Sequence, residues 1–83
     1  MREDFLKRIV KLLFPQHLIK KPVIFAMAKE YDVMPNIRHA KITESVGEMV
    51  LELDGEANNL DAGIQALKNQ GVGVEYIVGD GAE

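Results

Sequence analysis

The chain switches between two hydrophobic rhythms, and the switches divide it into successive elements. From Pro22, a residue suited to a first helical position, Ile24, Met27, Ala28 and Tyr31 recur at helical spacing through K-P-V-I-F-A-M-A-K-E-Y-D-V. Residues 34–43 and 48–54 read as two strands, the second with a clear period of two. Met49, Leu51 and Leu53 alternate there with Glu48, Val50 and Glu52, and a turn at Glu44-Ser45-Val46-Gly47 joins the two runs into a hairpin. Asp54-Gly55 ends that strand and opens a second helix, with Leu60, Gly63, Ile64 and Leu67 as its buried stripe and Gly71 as a left-handed cap. Val72, Val74 and Tyr76 alternate with Gly73, Glu75 and Ile77 in a last strand. The predicted domain is 1–78, and the small, polar residues 79–83 form a flexible tail or linker.

The opening M-R-E-D-F-L-K-R-I-V-K-L-L-F fits both rhythms. Phe5, Leu6, Ile9, Leu12 and Leu13 would line a helix, whereas Leu6, Val10, Leu12 and Phe14 would line a strand broken only by Arg8. Periodicity alone slightly favours the helix, which would be a basic amphipathic segment suited to a membrane surface or a partner's groove. The rest of the chain requires a strand here to complete its sheet. The order is then β-α-β-β-α-β, an α+β split β-α-β or ferredoxin-like sandwich with two helices on one face of a four-stranded antiparallel sheet. With Val10, Leu12 and Phe14 turned toward the helices, Ile9, Leu13, Val50 and Ile77 fall on the open face, and four apolar residues there predict a buried interface.

One stretch departs from both rhythms. In Y-D-V-M-P-N-I-R-H-A-K-I, Ile37 and Ile42 are five apart, so a regular strand sends them to opposite faces. Burying both toward the helices requires a bulge near Arg38-His39, and Pro35 marks the strand as an edge. Asn36 carries donors and acceptors that suit the carboxylate and ammonium of an amino acid, or a backbone edge; it also suits the end of a turn after Pro35.

Composition narrows the function classes. The 83 residues form one domain, and a fold of that size buries roughly 60–65% of its unfolded surface, so its core is thin. A net charge of −3 argues against a nucleic-acid partner. With no cysteine the chain offers no disulfide, thiolate nucleophile or cluster ligand, and a reducing cytoplasm fits it best. No apolar run is long enough for a signal peptide or a membrane span. His17 and His39 have no Ser, Cys or Asp partner at a motif spacing, no metal-ligand pattern is present, and the glycines of G-V-G-V-E-Y-I-V-G-D-G flank a strand instead of opening a helix. A non-enzymatic protein without cofactor or metal is expected.

The run P-V-I-F-A-M-A-K-E-Y-D-V-M-P-N-I-R-H-A-K-I, the glycine turn, L-E-L-D-G and A-L-K-N-Q-G-V-G-V-E together resemble the NIL domain family, named for an Asn-Ile-Leu motif. Asn36-Ile37-Arg38 matches that motif, with Arg38 in place of leucine, and the similarity runs from about Phe5 to Val78. The resemblance implies the ferredoxin-like fold and one of two settings. In the first, paired NIL domains at the C-terminus of methionine-importing ABC transporter ATPases bind methionine and inhibit transport. In the second, the domain precedes an iron–sulfur ferredoxin module in sulfur-amino-acid metabolism, and Asn-Ile-Arg with Gly79-Asp80 is more similar to that branch. Two functional expectations follow. One is a sensor binding methionine or a relative through Met34, Asn36, Ile37, Arg38 and His39, paired as a weak homodimer. The other is an interaction module docking a ferredoxin partner through Ile9, Leu13, Val50 and Ile77.

Overall fold

A computed structural model describes residues 5–77. The ambiguous opening is a strand, β1 (Phe5–Phe14), followed by α1 (Val23–Tyr31), β2 (Met34–Ile42), β3 (Gly47–Glu56), α2 (Ala57–Asn69) and β4 (Gly73–Tyr76). The strands lie in the order β2-β3-β1-β4, and each neighbouring pair is antiparallel. This is the predicted ferredoxin-like α+β arrangement.

The position of β1 explains its mixed periodicity. It pairs with β3 along one edge and β4 along the other, so it sits inside the sheet, and it carries apolar residues on both faces, with Lys7 and Lys11 alternating with Ile9 and Leu13 on the open one. Val10, Leu12 and Phe14 enter the core under the helices, while Ile9 on the opposite face is also buried at 8% exposure. Arg8, the residue that breaks the apolar alternation, lies on the helix side and donates to Asp61 of α2. It ties the second helix to the central strand.

Several boundaries shift from the sequence expectations. Pro22 is the N-cap of α1 and not its first residue. The hairpin turn closes at Thr43 and Val46, where the Thr43 hydroxyl accepts from the Val46 amide, and Gly47 already belongs to β3. β3 continues through Gly55, which pairs with Leu6, so α2 begins directly after Glu56 with no intervening loop. Between β1 and α1 a 3-10 turn at Gln16–Leu18, unforeseen in the sequence, pegs Leu18 into the core. Gly71, at φ 103°, adopts the left-handed backbone expected of the cap. Asp32 caps α1 in the same region at φ 58°, a conformation that aspartate tolerates better than most residues.

The α2 stripe is buried as predicted, at Leu60, Gly63, Ile64 and Leu67. A Cβ on Gly63 would stand 2.8 Å from Met27 Sδ, so the absence of a side chain allows the two helices to approach closely. All the buried strand residues belong to β1 and β3, and β2 has none. Ile37 and Ile42 do share the helix-facing side, and the ladder is irregular between Ile37 and His39, where the bulge was expected. They are nevertheless 56% and 52% exposed, because the helix layer leaves this outer strand uncovered.

This division of burial sets the energetic ranking of the core. Leu51→Ala, in a fully buried β3 position, is expected to lower unfolding stability by about 2–5 kcal/mol. Ile37→Ala on the exposed strand should lower it by less than about 1 kcal/mol. Urea unfolding followed by circular dichroism checks both; comparable losses would show that β2 is covered in solution.

Candidate functional site

β2 presents its two sides to different surroundings. On the open face, Met34 stands opposite Asp54 and Asn36 opposite Glu52, while His39 is paired with Val50. Arg38 is the extra residue of the bulge, and its Nη1 lies 3.9 Å from Glu52 Oε1. Four of the five predicted ligand residues, Met34, Asn36, Arg38 and His39, are thereby gathered along one side of one strand. Ile37 projects to the helix side and is not part of that group.

Glu52 is the junction of this surface. Lys7 of β1 reaches diagonally across to Glu52 Oε2 at 2.7 Å while Arg38 approaches the other carboxylate oxygen, so one side chain links three strands. The hydrogen bond from Lys7 holds the Glu52 carboxyl below its ordinary value of 4.5. The same bond, with the charges of Glu52 and Asp54, raises Lys7 above 10.5. One strand pair along, Lys11 meets Glu48 at 3.3 Å. Asp54 completes the group, with its Oδ1 buried and lacking a hydrogen-bond partner. A buried carboxylate oxygen left unpaired is unfavourable unless a donor is supplied, which makes Asp54 the most chemically demanding atom of the surface. In the sequence, Asp54 marks only the end of a strand. Its position opposite Met34 depends on hairpin register.

The four residues proposed for an open-face interface do lie on that face, with unequal exposure. Leu13 is 44% exposed, Val50 and Ile77 are half-buried, and Ile9 is covered within the chain. On the helix side, a cavity of about 180 Å³ opens between the start of α1 and the end of β2, lined by Phe14, Leu18, Ile24, Phe25, Ile42 and Met49 among others. Phe25 is 72% exposed at its rim. Its signal in the sequence is a large aromatic residue outside the buried stripe of α1. Among the described residues there is no cluster of histidine, aspartate and glutamate placed to hold a metal ion, and no helix is long and apolar enough to cross a membrane.

The Lys7–Glu52 contact has a defined pH signature. Because the folded-state value of Glu52 is depressed, its stabilising contribution is complete above 4.5 and is lost as pH falls through the lower folded value. Because Lys7 is raised, its contribution is present below 10.5 and is lost as pH rises through the higher folded value. Urea midpoints measured across a pH series should therefore show a shallower acid limb for Glu52→Gln than for the parent chain. Parallel acid limbs would assign the acid sensitivity to other carboxylates.

Comparison with known proteins places this geometry in a family. A family model described as the NIL domain matches residues 8–76. The chain is 34% identical over 71 residues to "Methionine import ATP-binding protein MetN 1" of Bacillus cereus, covering 81% of this chain and 20% of that protein. It is 32% identical over 74 residues to "Methionine import ATP-binding protein MetN 2" of Listeria monocytogenes, covering 84% and 22% respectively. The chain thus spans about a fifth of the length of these curated relatives. Among solved structures, the C-terminal domain of an ABC transporter ATP-binding protein from Enterococcus faecalis superposes with a TM-score of 0.76 at 32% identity, covering 86% of this chain and 83% of that one. On the extent of the family match, the identity to these relatives and the shared fold, the chain belongs to the NIL domain family.

Proposed function

We propose that this domain is a non-enzymatic regulatory module that binds methionine or a related small amino acid on the open face beside β2. Asn36 is the polar anchor, Arg38 meets the ligand carboxylate, Asp54 takes its ammonium, and Met34 and His39 flank the side chain. The observation that carries this reading is the unpartnered, buried Asp54 Oδ1 on the same face as Asn36 and Arg38. An α-amino acid needs one anionic and one cationic partner, and this edge of the sheet carries Asp54 opposite Met34 and Arg38 in the bulge further along the same face. Arg38 touches Glu52 only loosely, at 3.9 Å, so its donors remain available for a carboxylate. The methionine import ATPases among its relatives support the choice of ligand class and a regulatory role within an ABC transporter.

Pairing of two such domains belongs to the same proposal. Leu13 is the most exposed of the four apolar residues on the open face, and a two-fold contact uses that strip twice. A few hundred apolar Å² per subunit, at roughly 25 cal/mol per Å², offsets association costs only enough for a weak, micromolar-range dimer.

Isothermal calorimetry with methionine, homocysteine and unrelated amino acids tests the ligand. Binding is expected for the sulfur amino acids, with amide shifts confined to residues near 34–42 and 52–54. Asn36→Ala or Asp54→Asn should weaken it about ten-fold or more, the loss typical of a charge-assisted hydrogen bond. No heat and no shift at millimolar methionine would overturn the sensor reading. Sedimentation equilibrium tests the pairing separately: Leu13→Asp or Val50→Asp should shift the chain toward monomer with its fold retained. A parent chain that stays monomeric at millimolar concentration would rule the pairing out.

A further inference from the structure

The open face is striped by charge, strand by strand. In the order β4, β1, β3, β2, the charged side chains on that face are Glu75, then Lys7 and Lys11, then Glu48, Glu52 and Asp54, then Arg38 and Lys41, with the imidazole of His39 between them. Each strand opposes the sign of its neighbour, and the observed bridges Lys7–Glu52, Lys11–Glu48 and Arg38–Glu52 run across these boundaries. The alternation stops at β2, whose outer edge has no neighbour among the described residues. Among the described residues, neither His39 nor Lys41 has an ion-pair partner. The next strand that fits this pattern is acidic.

The backbone and the helix side define the same guest. Thr43 donates to Val46 across the turn, and antiparallel alternation from that bonded pair turns the backbone groups of Ile42 and Ala40 outward. The helix side of this segment carries exposed Ile37 and Ile42, with exposed Phe25 on α1 at the rim of the apolar cavity. Roughly 150 Å³ of apolar space is enough for a benzene-sized group, so this cavity of about 180 Å³ holds one aliphatic or aromatic side chain.

We infer that β2 is a docking edge for an extended segment of a partner protein in which acidic residues alternate with apolar ones. The segment adds as a fifth strand beside Ala40–Ile42. Its acidic side chains meet Arg38, His39 and Lys41 on the open face, and its apolar side chains cover Ile37, Ile42 and Phe25. A second copy of β2 is a poor occupant, because two-fold pairing sets these three basic residues against their own copies. Pro35 and the bulge disrupt regular pairing in the first half of β2, which confines docking to the second half.

The test titrates the isotope-labelled chain with an acetylated, amidated heptapeptide alternating valine and glutamate, and with its valine–lysine counterpart. The glutamate peptide is expected to bind at least about ten-fold more tightly, to shift the amides of residues 37–42, and to slow hydrogen exchange at Ala40 and Ile42. Lys41→Glu should weaken it several-fold, whereas Lys11→Glu, two strands away, should not. An unchanged spectrum for α2 and β4 residues confirms that each variant is folded. Equal affinity for both peptides, no binding, or shifts on Leu13 and Ile77 in place of β2 would overturn the inference. So would open-ended self-association abolished by Glu75→Lys, because the acidic guest would then be this chain's own β4. The readout is independent of methionine, so it stands or falls separately from the sensor reading.

Discussion

The close approach of the two helices at Gly63 governs what the rest of the structure exposes. With Met27 Sδ lying where a side chain would begin, α1 and α2 pack tightly against one another, and their combined buried face falls over β1 and β3. Those two strands supply every buried strand residue. A four-stranded sheet under a helix layer drawn together in this way keeps its outer strand accessible. The exposure of Ile37 and Ile42 is therefore a consequence of helix packing and not of local sequence polarity.

The same arrangement leaves β2, which carries the proposed site, accessible. Its neighbours β3 and β1 hold the buried strand residues, while its own side chains are exposed, a division common at binding sites carried by a stable scaffold. Glu52 connects the two parts. It is bonded to Lys7 in the central strand and approached by Arg38 at the edge, so the position of the bulge is linked electrostatically to the middle of the sheet. Arg38 shares the face of Asn36 by ordinary alternation, and the bulge is what brings His39 onto that face as well.

The interface expectation and the ligand expectation fare differently in physical terms. Among the open-face aliphatics, Ile9 is already covered within the chain while Leu13 remains exposed, so the strip is narrower than four residues would make it. The ligand group loses Ile37 to the other side of the sheet, and its polar members gain Asp54 and Glu52 from the neighbouring strand. These acidic residues give the surface the mixed charge that the proposed amino-acid ligand calls for.

By itself the sequence determined the order of the elements after the opening segment, the buried stripe of α2 and the left-handed Gly71, because each follows from a local period or a local backbone requirement. The odd spacing of two isoleucines located the bulge between Ile37 and His39 on the condition that both face the helices, as they do. It could not report that both would stay exposed, since burial depends on what lies above a strand and not on its own alternation. The opening segment was ambiguous for the complementary reason: β1 carries Ile9 and Leu13 on the open face as well as Val10, Leu12 and Phe14 on the helix side, and only its pairing with β3 and β4 separates it from a helix. Tertiary structure alone decided that Lys7, Glu52 and Arg38 meet and that Asp54 Oδ1 is left without a donor. Those contacts join residues far apart in the chain, and they exist only once the register of three strands is set.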